Sequence, residues 1–447
     1  MQQAIFAVIL LITFGVAFRK YKFVYNNIML GKKDKIEGDR SQRIKNVLMI
    51  ALGQKKMFKR PLAASMHLFI YIAFIFTQIE LVEIFVDGLT GSHRFFSHYL
   101  GIVYTILISF IEILSLGALI ATFVFLARRN LLKLPRFVKP EMEGWPKLDG
   151  NLILYAEFLL VMFIFIMNSA DMRADSELNF LISSQIAPLW GNSISIESLH
   201  IAERIGWWGH ILVVFTFLNY LPYSKHLHIM LAFPNTYYAR LTPKGEMKNM
   251  PDIQAEVASM FDPNAAFDEP DPDSPMPKFG VADVFDMPWT DILSAYTCTE
   301  CGRCTSVCPA NLTGKKLSPR KIMMDVRDRA DEIGKNIAAN KTEFISDDKK
   351  ESTSVLTAEN YDDKKSLFDY ISTEELRACT TCNACMEACP IMISPVDIIL
   401  DLRRNQILEQ SDSPEEWNNM FNTIENNGAP WAFSPDDRDK WIEEANA

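Results

Sequence analysis

Cys298-Thr-Glu-Cys301-Gly-Arg-Cys304-Thr-Ser-Val-Cys308-Pro309 and Cys379-Thr-Thr-Cys382-Asn-Ala-Cys385-Met-Glu-Ala-Cys389-Pro390 together contain all eight cysteines of the chain. Each run reads C-x2-C-x2-C-x3-C-P, in which three close thiolates hold one iron–sulfur cubane and the fourth reaches across to the other. The crossed ligation assigns Cys298, Cys301, Cys304 and Cys389 to one [4Fe-4S] cluster, and Cys379, Cys382, Cys385 and Cys308 to the second. Zinc would need four ligands per closed site but has no use for a three-plus-one spacing with a trailing proline. Disulfides are out of place on a cytoplasmic face. Two cubanes that each accept and donate one electron imply a donor and an acceptor.

The spacing is that of bacterial ferredoxins, and the sequence around it reads as a mainly α-helical dicluster domain over residues 290–410. Ser318 is placed to cap a helix whose first position is Pro319 and whose body is Arg320 to Ile337. Residues 340–365 are polar and read as a surface excursion, and 411–447 as an acidic tail. There is no glycine-rich phosphate loop and no nucleophile elbow, so no nucleotide or flavin site is expected.

Before the cysteines the composition changes solvent. Apolar runs cover Ala4 to Phe18, Leu62 to Val86, Leu100 to Leu126, Leu152 to Met167 and Trp207 to Leu221. With their aromatic flanks these mostly reach the roughly 20 residues that a bilayer core requires. The expected fold is an all-α membrane bundle of about five transmembrane helices over residues 1–232, followed by a Pro-, Asp- and Met-rich connector at 233–289 and then the ferredoxin domain. No basic residue precedes the first run and Arg19, Lys20 and Lys22 follow it, which reads as a retained helix rather than a cleaved signal.

Basic residues set the expected orientation. Lys32, Lys33, Lys35, Arg40, Arg43, Lys45, Lys55, Lys56, Lys59 and Arg60 lie between spans one and two, and Arg128, Arg129, Lys133, Arg136 and Lys139 follow span three. The opposite loops offer little beyond Arg94, Arg173 and Arg204. The positive-inside rule then places the N-terminus outside a bacterial inner membrane and everything after span five in the cytoplasm. The net charge is −10, with acid concentrated at Asp262, Asp268, Glu269, Asp271 and Asp273, which argues against a nucleic-acid partner.

Seven histidines occur. His67, His210, His226 and His228 lie in or at the ends of spans, where an ionisable ring is a functional candidate. His93, His98 and His200 read as interfacial. On a continuous helix His210 and His228 would share one face, roughly 27 Å apart, with His226 pointing nearly the other way. His67 and His228 lie at matching depth on antiparallel helices, which suits bis-imidazole ligation of one b-type haem. Glu80, Glu112 and Glu157 also fall in or near spans, where a carboxylate is costly unless it pairs, protonates or serves a proton path.

Ser65-Met-His67-Leu-Phe-Ile in span two, and Gly209-His210-Ile-Leu through Leu221-Pro-Tyr-Ser-Lys-His-Leu-His228-Ile in span five and its exit, resemble the gamma subunit of respiratory nitrate reductase, a five-helix dihaem cytochrome b. The likeness to the membrane cytochrome of heterodisulfide reductase and its relatives is greater, and the cysteine half is similar to their helical dicluster ferredoxin subunit. The resemblance covers most of the chain outside 340–365 and the tail. It implies that His67 and His228 hold a cytoplasm-side haem and that His210 supplies one ligand of a second, outer haem. The position that would supply the partner of His210 is Thr77, so the candidates are a five-coordinate haem, replacement by His93 or His98, or no second haem. It further implies a quinone substrate, menaquinone by preference. All eight cysteines are committed to clusters, leaving none for the CCG motifs of those reductases. The final chemistry therefore belongs to a soluble partner, either a CCG-containing reductase subunit or a flavoprotein of the electron-transfer type. The expected function is electron transfer between quinone, haem b and two [4Fe-4S] clusters. The rival readings are a haem-free membrane-anchored polyferredoxin and a redox sensor without turnover.

Overall fold

A computed structural model describes residues 1–33, 36, 38–175, 178–261 and 278–447. Among these the chain forms helices and no strands. Its two isolated bridges pair Lys32 with Pro288 and Ile345 with Tyr361. Lys35 and the acidic run Asp262, Asp268, Glu269, Asp271 and Asp273 lie outside the described residues.

Five helices are long and apolar enough to cross a bilayer: α1 (Gln2–Ile28), α2 (Pro61–Thr90), α3 (Ile102–Leu126, prolonged by a wide turn over Ala127–Leu131), α4 (Trp145–Ala174) and α5 (Ile196–Tyr220). Their ends follow local chemistry. Pro61 opens α2 and Gly91, at φ +80°, ends it, because proline costs nothing where no N–H partner exists and glycine accepts the left-handed turn. The Ser195 hydroxyl accepts from Ser198 N–H to cap α5. The outer faces carry exposed apolar side chains such as Leu11, Phe74, Ile79, Ile106, Phe110, Leu159 and Ile205. Such a surface would be a liability in water and suits lipid.

Inside the bundle, Phe6 of α1 meets Phe85 of α2 and Trp207 and Phe215 of α5, with ring centroids 5.5–6.3 Å apart. Gly206 lets α5 lie directly on α4, since a Cβ there would stand 2.6 Å from the Met167 backbone nitrogen.

The helix numbering continues with α6 (His228–Tyr238), α7 (Pro251–Phe261), α8 (Trp289–Thr297), α9 (Pro319–Ala338), α10 (Pro395–Leu408) and α11 (Glu415–Asn427). The connector boundary expected at 233 falls inside α6. A second hydrophobic core gathers Ile292 and Leu293 of α8, Ile322, Val326 and Ile333 of α9, and Ile398, Ile399 and Leu402 of α10, and takes in Val24 and Ile28 of α1. The first helix therefore runs past the apolar stretch Ala4 to Phe18 and enters the ferredoxin domain, where Asn27 donates to the Tyr296 hydroxyl at 2.9 Å.

One expectation fails here. Span five does not continue as one helix to His228. The α-helix stops at Tyr220 before Pro222, a tight turn covers Leu221–Tyr223, Ser224 is extended at ψ 147°, and a second turn over Lys225–Leu227 precedes α6. Proline removes the backbone donor and forces the change of direction, so His210 and His228 lie on different helices and the five-turn arithmetic does not apply. Ser318 is a second departure. It holds the N-cap position before Pro319, but its hydroxyl donates to Glu141 Oε1 at 2.6 Å instead of capping the helix.

Candidate metal centres

The two cysteine runs are loops closed by short helical turns, Thr305–Val307 in the first and Ala384–Ala388 in the second. Left-handed residues bend each loop between its cysteines: Glu300 and Gly302 in one, Thr381 and Asn383 in the other. At Gly302 a side chain is also excluded by space, because a Cβ would lie 2.5 Å from Arg320 Nη1.

The folded loops exchange their last cysteines. Cys298, Cys301, Cys304 and Cys389 line one cavity together with Cys385 of the second run, and Met323, Ile391 and Ile393 complete its wall. The thiols acting most directly on Cys304 are Cys301, Cys298 and Cys389. Those acting on Cys385 are Cys379, Cys308 and Cys382. Cys389 thus stands among the cysteines of the first run, and Cys308 beside those of the second. All eight are free of disulfides. Among the described residues no three His, Cys, Asp or Glu close on a single metal-ion position.

Burial pushes the thiols of Cys298 and Cys385 up to about 12 and that of Cys304 well above its usual range. Such thiols keep their protons until a metal charge displaces them, so the donor set fits iron. Backbone N–H groups donate to sulfur from Ile393 to Cys389 at 3.3 Å and from Thr381 to Cys379 at 3.4 Å, a contact of the kind that tunes cluster potential. Cys382 is exposed, whereas Cys298, Cys308 and Cys385 are buried. The second set is therefore open to solvent at Cys382 alone.

The histidines form a second group at the bundle end nearest the first cavity. His228 is among the groups acting most directly on His67, and Arg303 of the first cysteine loop acts on His67 as well. The His67 ring donates from Nδ1 to Gln54 Oε1 at 3.2 Å, and His228 from Nδ1 to the Lys225 carbonyl at 3.0 Å. His210 does the same to the Leu160 carbonyl at 3.1 Å, but deeper in the bundle. Each bond fixes the tautomer and leaves Nε2 as a lone pair, the arrangement of a histidine that ligates a metal. Burial holds the His228 imidazole below the usual histidine range, so it stays neutral as iron requires. These three side chains fit haem.

His226, expected to point away, stacks on His228 with centroids 5.3 Å apart, because the break after Tyr220 reorients both. His93 is engaged elsewhere: its Nε2 meets Asp171 Oδ1 at 3.1 Å and its Nδ1 lies 3.5 Å from Arg204 Nη2. That leaves it no nitrogen for iron. Thr77 donates to the Phe74 carbonyl at 3.2 Å on its own helix.

Between the two groups lie residues that the sequence did not single out. Buried Lys225 donates to Glu300, which sits between Cys298 and Cys301, while its own carbonyl holds His228. Glu300 also accepts from Arg327 Nη1 at 2.7 Å. Arg320, fully buried, donates to the Arg136 carbonyl and to Glu141 Oε1, both at 2.7 Å. The only signal for Glu300 and Lys225 was their place inside motifs already marked; Gln54 gave none.

Residues 297–393 match the 4Fe-4S dicluster domain. The cysteine half is a dicluster ferredoxin domain. Over 98% of its length the chain is 27% identical to the probable iron-sulfur-binding oxidoreductase FadF of Bacillus subtilis. It is likewise 27% identical, over 92% of its length, to the EtfAB:quinone oxidoreductase of Syntrophomonas wolfei. It spans 61% and 55% of those two relatives. Over 39% of the chain and 25% of the relative it is 30% identical to a probable membrane-anchored ferredoxin of Chromohalobacter salexigens. No solved structure matches it. Among its described residues the chain is all-helical, with five helices long and apolar enough to cross a membrane and a dicluster ferredoxin domain.

Proposed function

We propose that the protein carries electrons between a membrane quinone and a soluble redox partner, through haem b held by His67 and His228 and two [4Fe-4S] clusters held by the crossed cysteine sets. Haem and cubanes, when bound, supply sites that each take up and release a single electron. The chain's own residues fix those sites in order. Gln54 and the Lys225 carbonyl orient the two imidazoles. Lys225 then reaches Glu300 in the loop of the first cysteine set, and exposed Cys382 of the second set marks where a soluble partner would dock. His210 has a free Nε2 for a second haem, with Thr77 and His93 both committed elsewhere.

The observation that carries this reading is the convergence of His67 and His228 beside the first cysteine loop. The name of the Syntrophomonas relative supports an electron-transfer flavoprotein as partner and a quinone as substrate; menaquinone remains the quinone of choice from the resemblance to heterodisulfide reductases, as does a CCG-containing subunit as the other partner class. The orientation follows the basic loops, with the ferredoxin domain in the cytoplasm of a bacterial inner membrane.

A dithionite-reduced absorption spectrum of the purified protein tests the reading directly, because a haem-free anchored ferredoxin would show no b-type bands. In separate variants, His67→Ala is expected to remove one haem per protein. His210→Ala is expected to lower a count above one and to leave a count of one unchanged. Unaltered haem content in His67→Ala would refute the ligand assignment.

A further inference from the structure

At the end of the bundle remote from the ferredoxin domain, α2, α3 and α4 bury five carboxyl groups: Glu80, Glu83, Asp87, Glu112 and Asp171. Four of them are saturated. Glu83 accepts from the Tyr104 hydroxyl at 2.7 Å and Phe96 N–H at 2.9 Å. Asp87 accepts from the N–H groups of Arg94 and Phe95 at 2.9 and 3.1 Å. Asp171 accepts from Arg94 Nε at 2.5 Å and His93 Nε2 at 3.1 Å. Glu112 accepts from Asn168 Nδ2 at 3.1 Å, the Ser183 hydroxyl, and the N–H groups of Ile182 and Ser183 at 2.8 and 3.1 Å.

Glu80 differs. It is 3% exposed, and neither carboxyl oxygen has a hydrogen-bond partner. Arg94, Glu83 and Glu112 act on it most directly, so it belongs to this cluster. A buried polar group without a partner costs several kcal/mol in a lipid-facing bundle. A group kept so is explained by a ligand that supplies the missing bond.

We propose that Glu80 is the proton-exchanging residue of a quinone site at this end of the bundle, an inference that rests on the electron-transfer reading above. Depth supports it. At 1.5 Å per residue from the helix ends beside the ferredoxin domain, His67 lies about 9 Å in, His210 about 15 Å and Glu80 about 29 Å. His210 falls between the inner histidines and Glu80.

The chemistry balances. A quinone ring takes two electrons, one at a time, from the metal centres, which a reduced flavoprotein reloads. It takes two protons, one on each carbonyl oxygen, and both C=O groups become C–OH. Glu80 delivers each proton and is recharged between them from the solvent side of the cluster, where His93 is half-exposed and bonded to Asp171. Oxidation of the quinol runs the same transfers backwards.

The test uses the full chain with both cofactor types loaded, wild type and variants matched for iron and haem, and a water-soluble naphthoquinol as probe. Reduction of the metal centres is followed by stopped flow, and the Glu80 carboxyl by redox-difference infrared spectroscopy with the naphthoquinone added. Glu80→Gln is expected to slow reduction about 10²-fold, the usual effect of losing a general acid–base group, and to erase a carboxylic C=O band that shifts in wild type when the ring is reduced. Glu80→Asp keeps the band and part of the rate. Equal rates in wild type and Glu80→Gln, or no band lost, would overturn the role of Glu80 and leave the quinone reading standing. Failure of the naphthoquinol to reduce even the wild type would bring down both. Should Glu80→Gln not assemble, a wild-type carboxyl band indifferent to added quinone overturns the inference alone.

Discussion

Lys225 joins the two halves of the proposed electron path through different atoms, and the difference can be tested. Its ammonium reaches Glu300 in the first cysteine loop and the Pro146 carbonyl, while its backbone carbonyl orients His228. Burial pushes the ammonium below its usual range although Glu300 and Asp149 hold its charge. Replacing it with methionine leaves Glu300 and Asp149 buried with one cation fewer, which costs about 3 kcal/mol. The backbone bond to His228 survives the change. Lys225→Met is therefore expected to lower the melting temperature and lose iron from the Cys298 set while keeping its haem, as read from iron and haem per protein. A variant that lost haem and kept all its iron would contradict this division. The cysteines were legible because a repeated spacing is written along the chain. The Lys225–Glu300 pair was not, because two charges 75 residues apart become partners only when the loop after α5 meets the first cysteine loop.

At the level of elements, the sequence conveyed the five spans and the α9 helix through hydropathy and the Ser318-Pro319 start. It failed at the exit of α5, where one continuous helix was expected from His210 to His228 while the backbone turns twice after Tyr220. The clasp between the membrane loops and the ferredoxin domain was invisible for a similar reason. Glu141, in the loop between α3 and α4, takes the Ser318 hydroxyl that would otherwise cap α9 and pairs with Arg320 of α9. Burial pushes the Glu141 carboxyl up, but the Ser318 and Arg320 bonds outweigh it and hold the group below its ordinary value of 4.5. A depressed carboxyl contributes stability that is complete above its unfolded value and is lost as pH falls through the folded one. Unfolding followed between pH 7 and pH 3 is thus expected to show wild type losing stability below about pH 4.5. Glu141→Gln, already weaker by about 3 kcal/mol at pH 7, is expected to lose less over the same interval. Parallel curves for the two proteins would exclude the clasp as an acid-sensitive contact.

Over the whole molecule the proposed centres would follow one another from exposed Cys382 through the Cys298 set, His67 with His228 and then His210, towards Glu80. If the soluble partner feeds one end and the quinone exchanges protons at the other, each electron crosses most of the hydrocarbon thickness without an accompanying proton. At a membrane potential of 100 mV, a full crossing changes the free energy by about 2.3 kcal/mol per charge. That shifts the equilibrium between partner and quinone by tens-fold for each electron. Turnover is consequently expected to be electrogenic. In vesicles carrying the protein in one orientation, a reduced soluble donor and entrapped naphthoquinone should generate a potential, reported by a voltage-sensitive dye and abolished by valinomycin with potassium. The same ionophore should alter the turnover rate, because the potential acts on the electron as it crosses. Turnover that proceeds with no dye response and no ionophore effect would place the quinone at the ferredoxin end of the bundle, close to His67, and leave the saturated carboxyl cluster around Arg94 a structural anchor.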